Sequence, residues 1–132
     1  MKFRFAVASI LTITLTSAIT AANAAEWKEI HDLGDRKLYL SFPPPTPTEK
    51  PLLVWSMLSF KQPQNTNGNT WQSWVQLEEF DCQKRVKTLK KVTFYPKAKA
   101  VGQPLQTIEP DKLEPIQPAT LGEIVFNLTC KG

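Results

Sequence analysis

The side chains that could support catalysis are few in this chain. His31 is its single histidine, and the neighbouring Asp32 is the carboxylate best placed to orient it as a general base. Adjacent residues of a strand point to opposite faces, so the two side chains would make a poor dyad. The sequence also has no glycine-rich phosphate loop and no nucleophile motif. We therefore expect no enzymatic activity.

A metal site is conceivable around the same histidine. Carboxylate oxygens and one imidazole suit a mostly oxygen-ligated ion, and the residues concerned are Glu29, His31, Asp32 and Asp35. A solvated turn beside the first strand explains these polar residues more simply. We predict neither a metal nor another cofactor.

The N-terminus predicts export. Two basic residues within the first four are followed by an uncharged stretch, residues 5–25, and small residues at positions 22 and 24 suit a signal peptidase. We interpret residues 1–24 as a cleaved signal peptide and residues 25–132 as a single domain. An uncleaved membrane anchor is the alternative.

Cleavage also lowers the charge. It removes two of the 16 basic residues and none of the 12 acidic ones, which leaves 14 − 12 = +2. So small an excess gives no general attraction to nucleic acid.

The two cysteines, Cys82 and Cys130, are far apart in the sequence and form no C-x-x-C motif. In an exported chain thiols are oxidised, so the pair most simply forms one disulfide. Closing a loop of this length stabilises the fold by about 4 kcal/mol in a chain-entropy model. A domain this small has a limited core, so such a bond would help it.

Positive charge is concentrated in residues 84–99, which hold seven basic residues and no acid. Such a segment could bind a polyanion or an acidic partner protein. Alternatively, its lysines could protect an edge strand from aggregation. Aromatic residues are not interleaved for base stacking, so nucleic acid is not expected. The candidate partner-binding residues of this segment are Lys84, Arg85, Lys87, Lys90 and Lys91.

The tryptophans divide into two groups. Trp55 lies in the most apolar part of the mature chain, and we predict that it belongs to the core. Trp71 and Trp74 flank a polar loop, so they either pack at the rim of the core or form an exposed contact patch. They complete our candidate partner-binding residues.

Period-2 alternation predicts β-structure through most of the mature chain. A short leading segment, residues 26–30, precedes a turn at residues 33–35. We predict a half-buried strand over residues 36–42, a central strand covered partly on both faces over 52–61, and further strands over 71–82 and 86–95, the last with a bulge near Leu89. Loops are expected at residues 43–47, 62–70 and 96–102, and only weak alternation occurs over 101–118.

The last segment allows two interpretations. Ile124, Phe126 and Leu128 alternate as in a strand. Thr120-x-x-Glu123 is a capping box, however, and Ile124 and Leu128 also keep helical spacing. Local propensity alone slightly favours a strand.

Several short motifs occur in a characteristic order. A strand with Val54-Trp55 is followed by Asp81-Cys82, by the basic Lys84-Arg85-x-Lys87, by a Tyr-x-x-x-Ala-x-Ala turn and by a final Pro-Ala-x-x-Gly-Glu-…-Cys. This series resembles the surface-adhesin protein E family of bacterial exported proteins. The resemblance implies an antiparallel sheet with a C-terminal helix packed across it and tied to it by the second cysteine. It therefore favours a helix at residues 120–129. Family members usually have a glycine-rich turn where this chain has Lys97-Ala98-Lys99-Ala100.

The predicted fold is therefore α+β, mainly β: an antiparallel meander sheet of about five or six strands with one C-terminal helix, tied by a disulfide. We predict a non-catalytic binding module exported to the periplasm or surface of a Gram-negative-type bacterium, without a membrane span after cleavage. The resemblance implies adhesion to host matrix proteins, and a polyanion is a further candidate ligand. The alternative is a periplasmic accessory or inhibitor protein that recognises an envelope protein. Either module could dimerise through its sheet edges.

Overall fold

The computed structural model describes residues 26–131 of the chain. The predicted signal peptide, residues 1–24, lies outside them. One antiparallel sheet carries a helix on one face. The strands are β1 (Glu26–Asp32), β2 (Arg36–Phe42), β3 (Leu52–Thr66), β4 (Asn69–Asp81), β5 (Val86–Tyr95), β6 (Gln106–Ile108) and β7 (Lys112–Pro115), and the helix is α1 (Leu121–Cys130). The predicted fold class is confirmed.

Strands β1 to β5 pair in chain order, as a meander does. Beyond β5 the sheet gains two short strands from the proline-rich segment, where the sequence shows only weak alternation. Strand β6 pairs with the C-terminal part of β5 and β7 with its N-terminal part. The basic strand β5 is therefore an interior strand, and its interpretation as a protected edge is wrong.

The outer strand β1 is an edge of the sheet within the described residues. It has the protection against edge-to-edge pairing that we predicted for β5. The predicted leading segment is a full strand, with a register shift between Glu29 and His31. Charged side chains and a bulge both discourage pairing with another sheet. Dimerisation through sheet edges remains a prediction.

The β3–β4 hairpin is longer than predicted. Its loop is only Asn67-Gly68, with φ of 50° and 79°, the two-residue turn that favours this dipeptide. Residues 62–66, which we predicted as loop, continue β3. A register shift between Ser59 and Gln64 accommodates Pro63, which has no N–H for the ladder.

The predicted bulge in β5 is confirmed. Leu77 of β4 faces Lys91 and the next residue, Glu78, faces Leu89, so Lys90 is the extra residue. Because the bulge shifts the alternation by one residue, each apolar residue before and after it still points to the face of the sheet on which it packs.

Helix α1 covers one face of the sheet, which we call the helix face. The side chain of Thr120 caps its first turn, since Oγ1 accepts the N–H of Glu123 at 3.3 Å. Val125 and Phe126 are buried against the sheet, and the Phe126 ring lies 6.2 Å from that of Phe80. The rest of this core consists of Leu38, Leu40, Leu52, Val54, Leu58, Phe60 and Ile116.

The predicted disulfide is present and joins the helix to the sheet. Cys82 follows β4 and Cys130 is the last residue of α1, with their sulfur atoms bonded and a sequence separation of 48 residues. The bond therefore fixes the far end of a helix whose start is held by its cap.

The other face is covered in part by the segment 96–100. The hydroxyl of Ser73 donates to the carbonyl of Lys97 at 2.6 Å and accepts the N–H of Ala100 at 2.9 Å. Ser59, which faces Ser73 across the sheet, accepts the N–H of Lys99 at 3.0 Å. Lys99 and Ala100 both have a φ of 56°, in the left-handed region that favours glycine. Hydrogen bonds with two buried serines, Ser59 and Ser73, hold this conformation.

This segment makes β2 more buried than the half-buried strand that the sequence predicts. Tyr39 is buried with Met57 and Val75 beneath the segment 96–100. Phe42, by contrast, is 46% exposed because it lies at the corner of the sheet opposite Glu26. Strand β2 is thus buried on both faces in its centre.

A buried ion pair lies between the sheet and the first turn of the helix. Glu78 is 2% exposed, and the Nζ of Lys87 approaches its Oε2 at 2.7 Å. Gln76 donates from Nε2 to the other carboxylate oxygen at 2.8 Å. A Cβ at Gly122 would lie 3.0 Å from the Lys87 Nζ, so glycine allows the helix to pass closely over the pair.

Removal of the disulfide should destabilise the protein. For the Cys82→Ser/Cys130→Ser double variant we expect a free energy of unfolding lower by up to about 4 kcal/mol, because the unfolded chain regains the entropy of an open loop. Urea unfolding followed by tryptophan fluorescence measures the loss. A reductant should destabilise the parent protein and leave the double variant unchanged; an unchanged parent would contradict this role.

Substituting one partner of the buried ion pair should lower the free energy of unfolding more than substituting both partners. Lys87→Met leaves a buried carboxylate without its cation, so we expect a loss of about 3 kcal/mol. The Glu78→Leu/Lys87→Met double variant should regain much of that loss in urea unfolding. Lys90→Met, which breaks an exposed pair on the same strand, is the matched control and should have a much smaller effect. Equal losses in the single and double variants would contradict the pairing.

Candidate ligand-binding surfaces

Three of the seven basic residues of segment 84–99, namely Arg85, Lys87 and Lys90, lie close to acidic side chains. Lys87 is committed to the buried Glu78. Lys90 lies 2.9 Å from Asp111 and 3.5 Å from Glu79, and its hydrogen bond to Asp111 raises its pKa. These two candidates are therefore built into the fold.

Two further candidates are presented at the turn between β4 and β5. Lys84 and Arg85 are exposed there, and Asp81 holds the turn because its Oδ1 accepts the N–H of Lys84 at 2.9 Å. The Arg85 guanidinium lies 4.8 Å from the Phe126 ring centre and 3.9 Å from the Glu123 carboxylate. This turn is anchored by the adjacent disulfide. Its role in binding stays a prediction.

The part of the other face that the segment 96–100 leaves uncovered is rich in apolar side chains. Trp55, predicted to lie in the core, is 40% exposed on this face, and that prediction is wrong. Leu53, two residues earlier, is 39% exposed. In the sheet Trp55 faces Leu77, which in turn faces Lys91. We call this surface the open face; its members are Leu53, Trp55, Leu77, Lys91 and Leu113.

Trp71 and Trp74 lie at one end of the helix face, beyond the helix. Their ring centres are 5.3 Å apart, and both rings contact Phe60 below them and Phe94 of β5. They form the floor of an open groove of about 670 Å³ between the β3–β4 hairpin tip and the start of β6. Packing at the rim of the core is therefore confirmed, and the rings also line an open groove. Their role as a contact patch stays a prediction.

The polar residues near His31 have structural partners. The Asp32 Oδ1 accepts the N–H of Gly34 at 2.8 Å, and this hydrogen bond holds the pKa of Asp32 below its ordinary value. Lys37 lies 3.2 Å from the Glu29 carboxylate, and the hydrogen bond between them raises the pKa of Lys37. Among residues 26–131, no group of three or more His, Cys, Asp or Glu side chains is arranged to hold a metal ion.

Sequence reasoning missed Trp55 and Phe94 as surface-forming residues. For Trp55 the alternation of β3 was a usable signal. It places Trp55 on the face of the sheet opposite to that of Val54 and Leu58, and a single helix can cover only one face. The sequence around Phe94 contains no such signal, because the exposure of the Phe94 ring depends on where helix α1 ends.

A sheet that is covered by a tethered helix on one face and displays aromatic side chains on both is suited to binding. The chain belongs to the surface-adhesin protein E family, whose model matches residues 27–131. The family indicates a non-enzymatic, adhesin-like protein that is exported or displayed at the cell surface and binds a host ligand. No curated protein and no solved structure matches the chain significantly. Within residues 26–131, no helix is long and apolar enough to cross a membrane.

The hydrogen bond at Asp32 should make the β1–β2 turn sensitive to acid. A lowered pKa in the folded state means that the carboxylate stabilises the fold above the ordinary aspartate pKa of about 3.9 and loses this effect as the pH falls through the folded value. The stability advantage of the parent protein over Asp32→Asn should therefore shrink between pH 6 and about pH 2. Urea unfolding across this range measures it; a difference independent of pH would contradict it.

Proposed function

We propose that this protein is a non-catalytic adhesin-like module that binds a host protein through its open face. The observation that carries the proposal is Trp55, a large aromatic side chain left 40% exposed on a central strand. Tryptophan is enriched among the residues that dominate binding energy at protein interfaces. Contiguous apolar side chains such as Leu53 and Leu77 beside it are typical of an interaction site.

A protein ligand suits the charges better than a polyanion does. A polyanion needs a continuous positive surface, but Lys87 and Lys90 are paired with carboxylates. The open face instead combines apolar side chains with charges of both signs, since Lys91 lies beside Leu77 and Glu79 beside Leu53. An apolar centre with a polar rim is the usual anatomy of a protein interface.

The family supports a host ligand, and the open face is the surface to which we assign it. Such a ligand lies outside the bacterium, so the proposed function requires display on the cell surface or release from the cell. It makes no use of His31, whose neighbouring carboxylates are engaged in the turn and in ion pairs.

Substitution of Trp55 tests the proposal. Against an immobilised basement-membrane extract, we expect Trp55→Ser to weaken binding about tenfold or more, because the variant loses the central apolar contact. Binding by the parent protein should change little between low and high salt, because apolar contacts are not screened. Immobilised heparin is the polyanion probe and should be bound weakly.

The matched control is the Lys84→Ala/Arg85→Ala double variant, which alters the exposed basic turn and leaves the open face intact. It should bind the extract as the parent does. The proposal is wrong if this variant loses binding while Trp55→Ser retains it. It is equally wrong if Trp55→Ser only converts a dimer into a monomer in sedimentation experiments and binding is unchanged.

A further inference from the structure

The groove above Trp71 and Trp74 has a fixed aromatic floor. The Trp71 indole N–H donates to Thr66 Oγ1 at 3.1 Å, which sets the orientation of the ring. Trp71 also meets Phe60 and Phe94 edge-on, at 5.3 and 5.4 Å between ring centres. The floor is thus formed before any ligand arrives, and a ligand need not order it.

The walls of the groove are polar and neutral. Amide side chains on the hairpin, Asn67 and Asn69, lie on one side, and Gln106 of β6 lies on the other. None of the described residues that line the groove is charged. A charged ligand would therefore find no counter-charge there, although 21% of the whole chain is charged.

These features together select one ligand chemistry. The face of an aromatic ring is electron-rich and attracts the weakly positive C–H groups of a sugar ring. Amide side chains both donate and accept hydrogen bonds, as sugar hydroxyls do. An open groove of about 670 Å³ lies within the size range of small-ligand sites. We propose that this groove binds a short neutral oligosaccharide.

A proline-rich peptide is the other ligand that aromatic grooves commonly take. Proline has no N–H, so such a peptide offers chiefly carbonyl acceptors and would leave the acceptor oxygens of the amide walls unused. The sugar uses both functions of each amide. The oligosaccharide site is separate from the open face and does not depend on the proposed protein ligand.

Titration of the mature protein with a panel of neutral oligosaccharides tests the inference. The panel contains gluco-, galacto-, manno- and N-acetylglucosamine types, and tryptophan fluorescence and NMR chemical shifts report binding. For the member that binds best, Asn69→Ala and Gln106→Ala should each weaken affinity about fivefold, the effect of one lost hydrogen bond. Trp74→Ala should weaken it further, provided that circular dichroism shows a folded variant.

Gln83→Ala, which changes an exposed amide at the opposite end of the sheet, is the matched control and should bind normally. Trp55→Ser should also retain sugar binding, so failure here and failure of the open-face proposal are distinguishable. The inference is overturned if no member of the panel perturbs the tryptophans, or if an oligoproline peptide perturbs them instead. Equal affinity in the parent and both amide variants would overturn it as well.

Discussion

The attachment of helix α1 depends on the neutralisation of one buried carboxylate. Glu78 lies on the helix face of a central strand, where an unpaired charge would oppose the packing of apolar side chains. Lys87 of the neighbouring strand supplies the cation, and Gly122 leaves room for its ammonium group beneath the helix. Once the charge of Glu78 is neutralised, Val125 and Phe126 can pack against the sheet and complete the core.

The same arrangement determines what the opposite face can do. Since the helix occupies one side, the segment 96–100 is what covers part of the other among residues 26–131, and Ser59 and Ser73 hold it over Tyr39 and Met57. The remainder of that face stays open, with Trp55 at its centre. The proposed binding surface and the core are thus two results of placing a single helix on a single sheet.

Much of the fold was predictable because its strands follow simple alternation. The bounds of β2 and β5 and the bulge beside Leu89 agree with the sequence prediction. The hairpin beyond residue 61 was not predictable in this way, since it extends past the core and has no apolar alternation. For residues 120–129 local propensity was ambiguous, and the tertiary contacts of a tethered helix decide the outcome.

The candidate site was less predictable, for a physical reason. Whether Lys87 or Lys90 is free to bind depends on carboxylates brought close by the sheet register and by the chain beyond β6, as Asp111 shows. Trp55 was misplaced because the alternation of β3 was interpreted as burial on both faces, although one helix can cover only one of them. Pairings across the fold, rather than residue types, determine which side chains face a ligand.

For the proposed adhesive role, the disulfide has a mechanical consequence. Cys82 and Cys130 enclose β5, β6, β7 and α1 in one covalent loop. Under tension the chain inside this loop cannot extend. The molecule therefore does not gain the length of the 48 residues that separate the two cysteines, about 160 Å when fully extended. Strands β1 to β4 lie outside the loop and can be peeled away in chain order, from the edge inwards. A pulled molecule would therefore lengthen from its N-terminal strands while the turn with Lys84 and Arg85 stays fastened to the helix.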